Sequence, residues 1–220
     1  MKTKIFQIYH NEETKVKVED SGIGYDNRQN FNQMLYENQV ILDLYDKGEF
    51  NDCEYCGVIS TRMFEKTGKH LEEFLHDILQ DDKSKDAYIL CAYNSPVANN
   101  FWGRTFSASR QLKFLLNFKY PDILPFTISE NNWVNCYCNF VLMRPKMMKE
   151  YVEVVLRPVV DFLFNSKDPE VISLVNSKVN HRGKDVSIIP FFLEGLMGSY
   201  ISAFCIDYKT LATPNDYQSK

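Results

Sequence analysis

At 220 residues, 45% of them hydrophobic, the chain can bury one sizeable core and is too apolar to be disordered. Its net charge of −4 and the lack of any long Lys/Arg run argue against a nucleic-acid groove. A few cations or helix-end amides could still hold a nucleotide phosphate.

The apolar run near the start covers only 5–9, too short for a secretory leader. No uninterrupted apolar stretch approaches the length of a membrane-spanning helix. A cytoplasmic protein is therefore expected.

Taken in chain order, strand and helix patterns alternate, which predicts an α/β fold with a mixed, mostly parallel sheet flanked by helices. A strand over 4–9 ends in His10, Asn11 and Glu12. Residues 11–30 read as a long polar loop. The apolar spacing over 31–48 predicts a helix, with Asn30 and Gln33 as a capping pair and Gly48 closing it. A strand over 55–59 ends in Ser60, Thr61 and Arg62. An amphipathic helix over 70–79 would bury Leu71, Phe74, Leu75, Ile78 and Leu79. A strand over 87–92 then runs into Tyr93, Asn94 and Ser95.

Helical spacing returns over 107–118. A strand over 134–143 would place Asn135 and Asn139 on one face, because side chains alternate with period two. Pro145 suits the first turn of a helix running toward Asn165, with a kink or break expected near Pro158. Residues 166–188 are mixed and polar. Pro190 opens an apolar helix over 191–204, and a short strand is expected over 205–208. The expected organisation is one domain over 1–212 with a frayed tail over 213–220.

Six cysteines, with no leader before them, are expected to be reduced. Cys53-x-x-Cys56 resembles half a zinc site or a redox pair. Cys136-x-Cys138 has strand spacing, which does not match the second knuckle of a four-thiolate zinc site. Buried structural thiols are the plainer reading of both.

Open α/β sheets bind ligands beyond the carboxyl ends of their strands, so the polar strand ends are the candidate site. Tyr9, His10 and Asn11 would hold a nucleotide, with Tyr9 equally able to serve as a core residue. Arg62, and Arg182 with Lys184 around Gly183, would face phosphate, although both also suit a solvated surface. Glu194 is the only ionisable group within 187–205, on a helix that is apolar nearly all round. Burial would raise its pKa toward the range of a general base. The alternative is a carboxylate bonded for structure alone. No Gly-x-Gly-x-x-Gly, Walker loop, Gly-x-Ser-x-Gly or His-Glu-x-x-His occurs, which argues against dehydrogenase, P-loop, esterase and zincin chemistry.

These segments run in a telling order: the strand near 4–10, the helix around Asn38–Leu42, the strand ending in Ile59 and Ser60, the stretch 135–143, and Phe191-Phe192-Leu193-Glu194-Gly195. That order resembles small bacterial GT-A-type glycosyltransferases of the capsular-polysaccharide kind. The resemblance implies a nucleotide-sugar donor and a carbohydrate or other hydroxyl acceptor. It implies Glu194 as the catalytic carboxylate, and Asn135 and Asn139 on the acceptor side. Tyr93 and Asn94 fall where metal-using members carry an Asp-x-Asp for Mn or Mg. That pair is missing, so metal-dependent transfer, metal-independent transfer and a non-catalytic carbohydrate-binding or assembly protein all stay open.

Overall fold

The computed structural model describes residues 1–29, 32, 34–92, 107–129, 134, 136–181 and 183–212. β1 (Thr3–Tyr9) is buried along most of its length, and its alternating side chains feed two cores. Phe6 and Ile8 join one cluster, Ile5 the other. A strand buried on both faces needs layers on both sides, as parallel sheets do. The short α1 (Glu12–Lys15) leads to β2 (Ile23–Asp26), which pairs parallel with β1. α2 (Glu37–Asp46) covers one face, and β3 (Tyr55–Ser60) pairs parallel with β1 on its other side. α3 (Met63–Thr67) and α4 (Leu71–Leu79) cover the opposite face before β4 (Ala87–Ile89).

α5 (Ser107–Phe114) continues into a π turn over Leu115–Lys119. β5 (Val141–Met143) runs antiparallel to both β3 and β4. α6 (Pro145–Tyr151), a π turn over Val152–Leu156 and α7 (Arg157–Asn165) follow as one continuous rod. Then come α8 (Pro169–Val175), the hairpin of β6 (Lys178–His181) and β7 (Lys184–Ser187), and α9 (Ile189–Ala203). β8 (Tyr208–Thr210) closes the sheet beside β4, giving the order β2-β1-β3-β5-β4-β8. The fold is therefore α/β with a mixed six-stranded sheet flanked by helices. Among the described residues, no helix is long and apolar enough to cross a membrane.

The larger core joins Phe6, Ile8, Val58 and Ile89 to α2, the α6–α7 rod and α9. The smaller joins Ile5, Ile59, Tyr88 and Leu142 to Met63 of α3 and Leu71, Phe74 and Ile78 of α4. Gly57 lets β5 approach β3. A Cβ there would meet the Val141 carbonyl oxygen at 2.5 Å and Leu142 Cδ2 at 2.6 Å. The carbonyl oxygen is backbone of the partner strand, so turning the Leu142 side chain away would not relieve the clash.

Several boundaries differ from those read in the sequence. The polar stretch 11–30 contains α1 and the edge strand β2, whose Gly and Asp hide its strand character. The second helix begins at Glu37, not 31, because Tyr36 sits at φ 45 and interrupts the spiral. Its C-terminus is as expected: Gly48 at φ 68 donates to Tyr45 O and Glu49 to Leu44 O, each at 2.9 Å. The proposed cap Asn30–Gln33 lies outside the described residues.

Leu79 is 59% exposed and not on the buried face of α4. β4 stops at Ile89, although Leu90 N–H still bonds Phe140 O and Ala92 N–H bonds Ala212 O. Pro158 does not break its helix. The preceding π turn, with Arg157 N–H donating to Val152 O, absorbs the proline within a continuous rod. Residues 166–188 hold α8 and a hairpin, and the last strand lies at 208–210, after a left-handed Cys205 (φ 50).

Replacing Gly57 with Ala is expected to lower unfolding stability by at least about 2 kcal/mol, the scale of overpacking in a tight core. Urea denaturation checks this, and an unchanged midpoint would contradict the close β3–β5 approach.

Candidate functional site

The strand predicted over 134–143 is the largest departure, and it builds the site. Only Val141–Met143 is strand. Tyr137–Asn139 forms a tight turn, with Cys138 and Asn139 both at φ 54. Two successive left-handed residues cannot continue a strand, and Asn is among the few side chains that adopt this region readily. Asn139 is therefore not on a strand face, and Asn135, expected to share that face, lies outside the described residues. The strand spacing of Cys136 and Cys138 is likewise not realised, since Cys138 lies in the turn.

The turn frees the Cys138 N–H, which donates to Glu194 Oε1 at 2.6 Å. Glu194 lies in the second turn of α9, whose side chains are otherwise mostly buried. It is densely surrounded yet not sealed from solvent. Burial pushes its carboxyl up to about 7. The Cys138 N–H opposes that shift, Glu37 at the start of α2 adds to it, and Lys66 of α3 again opposes it. A single amide and one nearby ammonium do not offset the desolvation of this carboxylate.

Lys66 Nζ lies 2.9 Å from Cys138 Sγ and 5.1 Å from the Phe140 ring centroid. The Cys138 thiol is nevertheless raised to about 12, by burial first and then by the Glu194 charge, so it is not a thiolate nucleophile. Asn139 is 4% exposed and its Oδ1 accepts no hydrogen bond, an orphaned acceptor beside the amide that holds Glu194.

Register places this cluster on the sheet. Met143 pairs Cys56 and Ala87, and Val141 pairs Ile89, so residues 138–140 reach the carboxyl ends of β3 and β4. Ile8 pairs Ser60, which brings Tyr9 and His10 to the same edge one strand away. The strand tips at 10 and 60 and the Glu194 carboxyl therefore share the carboxyl edge of the sheet. The third tip, Tyr93 and Asn94, lies outside the described residues, although Ala92 just before it is placed at that edge.

The individual donor-side residues have varied surroundings. Tyr9 is 9% exposed beneath the Arg28 guanidinium, 5.9 Å from its ring centroid. His10 N–H bonds Thr14 Oγ1 at 2.9 Å. The Asn11 side chain caps α1 by accepting from Thr14 N–H at 2.8 Å, which commits its one side-chain oxygen to structure. Arg62 is exposed, with Nε 2.7 Å from Glu65 Oε2. Lys184 is exposed on β7, and Arg182 lies outside the described residues. The hairpin reaches α9 through His181, whose ring lies 5.1 Å from that of Phe191, one turn before Glu194. Lys184 is not among the groups that act on Glu194.

Sequence reasoning missed Lys66, Asp26 and Asn27. Asp26 ends β2, next to β1, where nucleotide-binding α/β folds place a ribose-bonding carboxylate. It bonds Arg28 Nε at 2.9 Å, and the guanidinium holds its carboxyl down at about 2. Asn27 is 7% exposed with an orphaned Nδ2, and its N–H donates to Tyr9 O at 2.9 Å. Recognising β2 as a second parallel strand would have identified both. Nothing in the sequence signals the fold-back of Lys66.

An open groove of about 750 Å³ lies elsewhere, between residues 18–21 and α4. Its acids outnumber its cations, and Glu19 Oε2 is committed to the Leu71 N–H at 2.8 Å, capping α4. No cluster of three or more His, Cys, Asp or Glu able to hold a metal ion occurs among the described residues. Searches against family models, curated proteins and solved structures give no match for this chain.

The Glu194 penalty has a defined pH window. Below about pH 4.5 the carboxyl is protonated both folded and unfolded, and the penalty is absent. It grows as pH rises and is complete above about 7, on the order of 3 kcal/mol. Glu194→Gln should therefore gain stability on the wild type between pH 5 and 8, read from urea midpoints at each pH. Parallel curves would show that the carboxyl is not desolvated.

Proposed function

We propose that the protein transfers a sugar from a nucleotide-sugar donor to a hydroxyl acceptor, with Glu194 taking the acceptor proton. The observation that carries this reading is the under-compensated Glu194 carboxyl at the carboxyl edge of the sheet, with its pKa raised to about 7. A general base works best when its pKa lies near the working pH. Half ionised at neutrality, Glu194 can accept a proton from a hydroxyl and return it to solvent.

The orphaned Asn139 Oδ1 supports the same assignment. It needs a donor, and a sugar hydroxyl supplies one while presenting its proton to the neighbouring carboxylate. On the donor side, Tyr9, His10, Asn11 and Asn27 would contact the nucleoside. Arg62, Lys66, Arg182 and Lys184 would stabilise the departing diphosphate, the charge-compensating role that a metal fills in other transferases. Tyr93 and Asn94, which follow β4 in the sequence, complete the proposed donor side, and Asn135 the acceptor side. The GT-A likeness belongs to this proposal, as does a place in polysaccharide biosynthesis.

Two measurements test it. Thermal shift with UDP-, GDP- and CMP-sugars should raise the melting temperature for one donor class, since a ligand at a hundredfold its Kd adds about 2.7 kcal/mol. With that donor and a panel of sugar acceptors, Glu194→Gln should lose 10²- to 10⁴-fold in turnover while still binding donor. Equal turnover in both forms would remove Glu194 as base. Donor or glycan binding with no turnover in either form would point to a non-catalytic carbohydrate-binding protein.

A further inference from the structure

The turn that aims the Cys138 N–H at Glu194 is also gripped from α3, a hold that the transfer reading does not use. Cys138 and Asn139 both stand at φ 54, which side chains adopt reluctantly, so neighbours must keep the turn in shape. α9 takes the Cys138 amide, through the 2.6 Å bond to Glu194 Oε1. α3 takes the side chain: Lys66 Nζ donates to Cys138 Sγ at 2.9 Å. The same ammonium lies 5.1 Å from the Phe140 ring centroid, so one cation brackets Asn139 on both sides. Phe140 is itself fixed, fully buried with its carbonyl accepting from Leu90 N–H at 2.8 Å. The backbone under Lys66 is fixed as well. Met63 is fully buried in the smaller core, Thr67 Oγ1 bonds Met63 O at 2.9 Å, and Gly68 at φ 72 closes α3 on Phe64 O at 2.8 Å.

We propose that Lys66 is a positioning residue for Glu194: by gripping the Cys138 side chain, it keeps that residue's amide aimed at the carboxylate. Released from Lys66, the turn is free to relax out of the left-handed region, and the amide leaves the carboxylate as it does so. The role rests on the transfer reading only for what Glu194 does with a proton. The hold itself is independent of that chemistry.

The charges around the carboxyl fit an action through Cys138. Burial raises Glu194 to about 7. Against that rise the Cys138 amide counts for most, and the Lys66 charge comes last, after Glu37 has added to the rise. A cation whose direct pull is small gains leverage by holding the donor whose pull is larger. Among the described residues, the ionisable groups that interact with this carboxyl are Glu37 from α2, Lys66 from α3, and Cys136 and Cys138 from the turn and its approach. Burial pushes both thiols up, so neither brings a charge at neutrality.

The test titrates the Glu194 carboxyl directly, by carbon NMR of the full chain labelled at its glutamate carboxyls. Lys66→Met keeps the stem and removes the donor, while Cys138→Ala keeps the amide and the β-carbon and removes the sulfur. Each should raise the midpoint by about one pH unit, the scale of one hydrogen bond to a charged group. The double variant should rise no further than either single, because both break the same link. Lys66→Arg keeps a charged donor in reach and should restore most of the wild-type midpoint. If Cys138→Ala fails to fold, Cys138→Ser takes its place: it retains an acceptor for Lys66 and should titrate as the wild type does. An unmoved midpoint in Lys66→Met would overturn the proposal. So would single shifts that add in full in the double variant, since Lys66 would then act on the carboxyl through space alone. Where turnover is found, the acidic limb of kcat/KM against pH should move with the midpoint. A midpoint that moves in a chain without turnover supports the positioning role and counts against the transfer reading.

Discussion

A carboxylate inside an apolar helix must find compensation or lose its charge, and here it finds one backbone amide. The bond from Cys138 N–H to Glu194 ties three segments into a single constraint. α9 brings the acid, the left-handed turn at Cys138 and Asn139 brings the donor, and β5 follows at once, with Val141 already paired across to β4. Without the turn the amide would sit in a ladder and the acid would be unpaired. Buried ionised groups are costly unless hydrogen-bonded and paired. The raised pKa shows that the compensation is partial: Lys66 is close enough to act on the carboxyl, and Glu37 works against it. The site is thus left short of hydrogen-bond donors, with Asn139 Oδ1 adding to the deficit.

That deficit sits where the sheet can use it. β1, β2, β3, β4 and β8 all run one way, and β5 alone runs back. Its reversal delivers residues 138–140 to the carboxyl edge, where α1 and α3 also begin. Gly57 makes this possible by letting β5 come within contact of β3. A small residue in mid-strand and a polar cluster at the strand end therefore belong to one arrangement: the first sets the approach of β5, and the second lies at the tip that the approach creates.

Much of this was readable from residue patterns, for reasons that differ by element. β1 and β3 were legible because continuous apolar runs bounded by polar residues have few other uses. Glu194 stood out because it was alone among apolar neighbours. The Gly48 stop followed from its tolerance of positive φ. The turn at 137–139 was hidden, because Cys-Tyr-Cys-Asn-Phe alternates as a strand would, and the left-handed choice is made by a tertiary bond to Glu194. β2 was hidden because edge strands face water and need no apolar run. The π turn before Pro158 was hidden because a proline predicts trouble without saying how the helix absorbs it. Lys66 and Asn27 owe their significance to strand order, which no local pattern encodes.

The charges around Glu194 also divide the edge into two chemical halves. An ionised carboxylate, the Glu37 carboxylate behind it and the orphaned Asn139 oxygen all favour groups that donate protons, and all repel phosphate. A diphosphate would meet the cations Lys66 and Arg62 after β3. Asp26, held ionised by Arg28, would in turn meet hydroxyls of a ribose and not phosphate oxygens. A ligand satisfying all three places would carry hydroxyls at one end, negative charge in the middle and a hydroxyl-bearing nucleoside at the other. That sequence of polarity is the one that the proposed nucleotide-sugar donor and hydroxyl acceptor would present. A free nucleotide would leave the Glu194 half unsatisfied, and a neutral glycan would leave the cations unused.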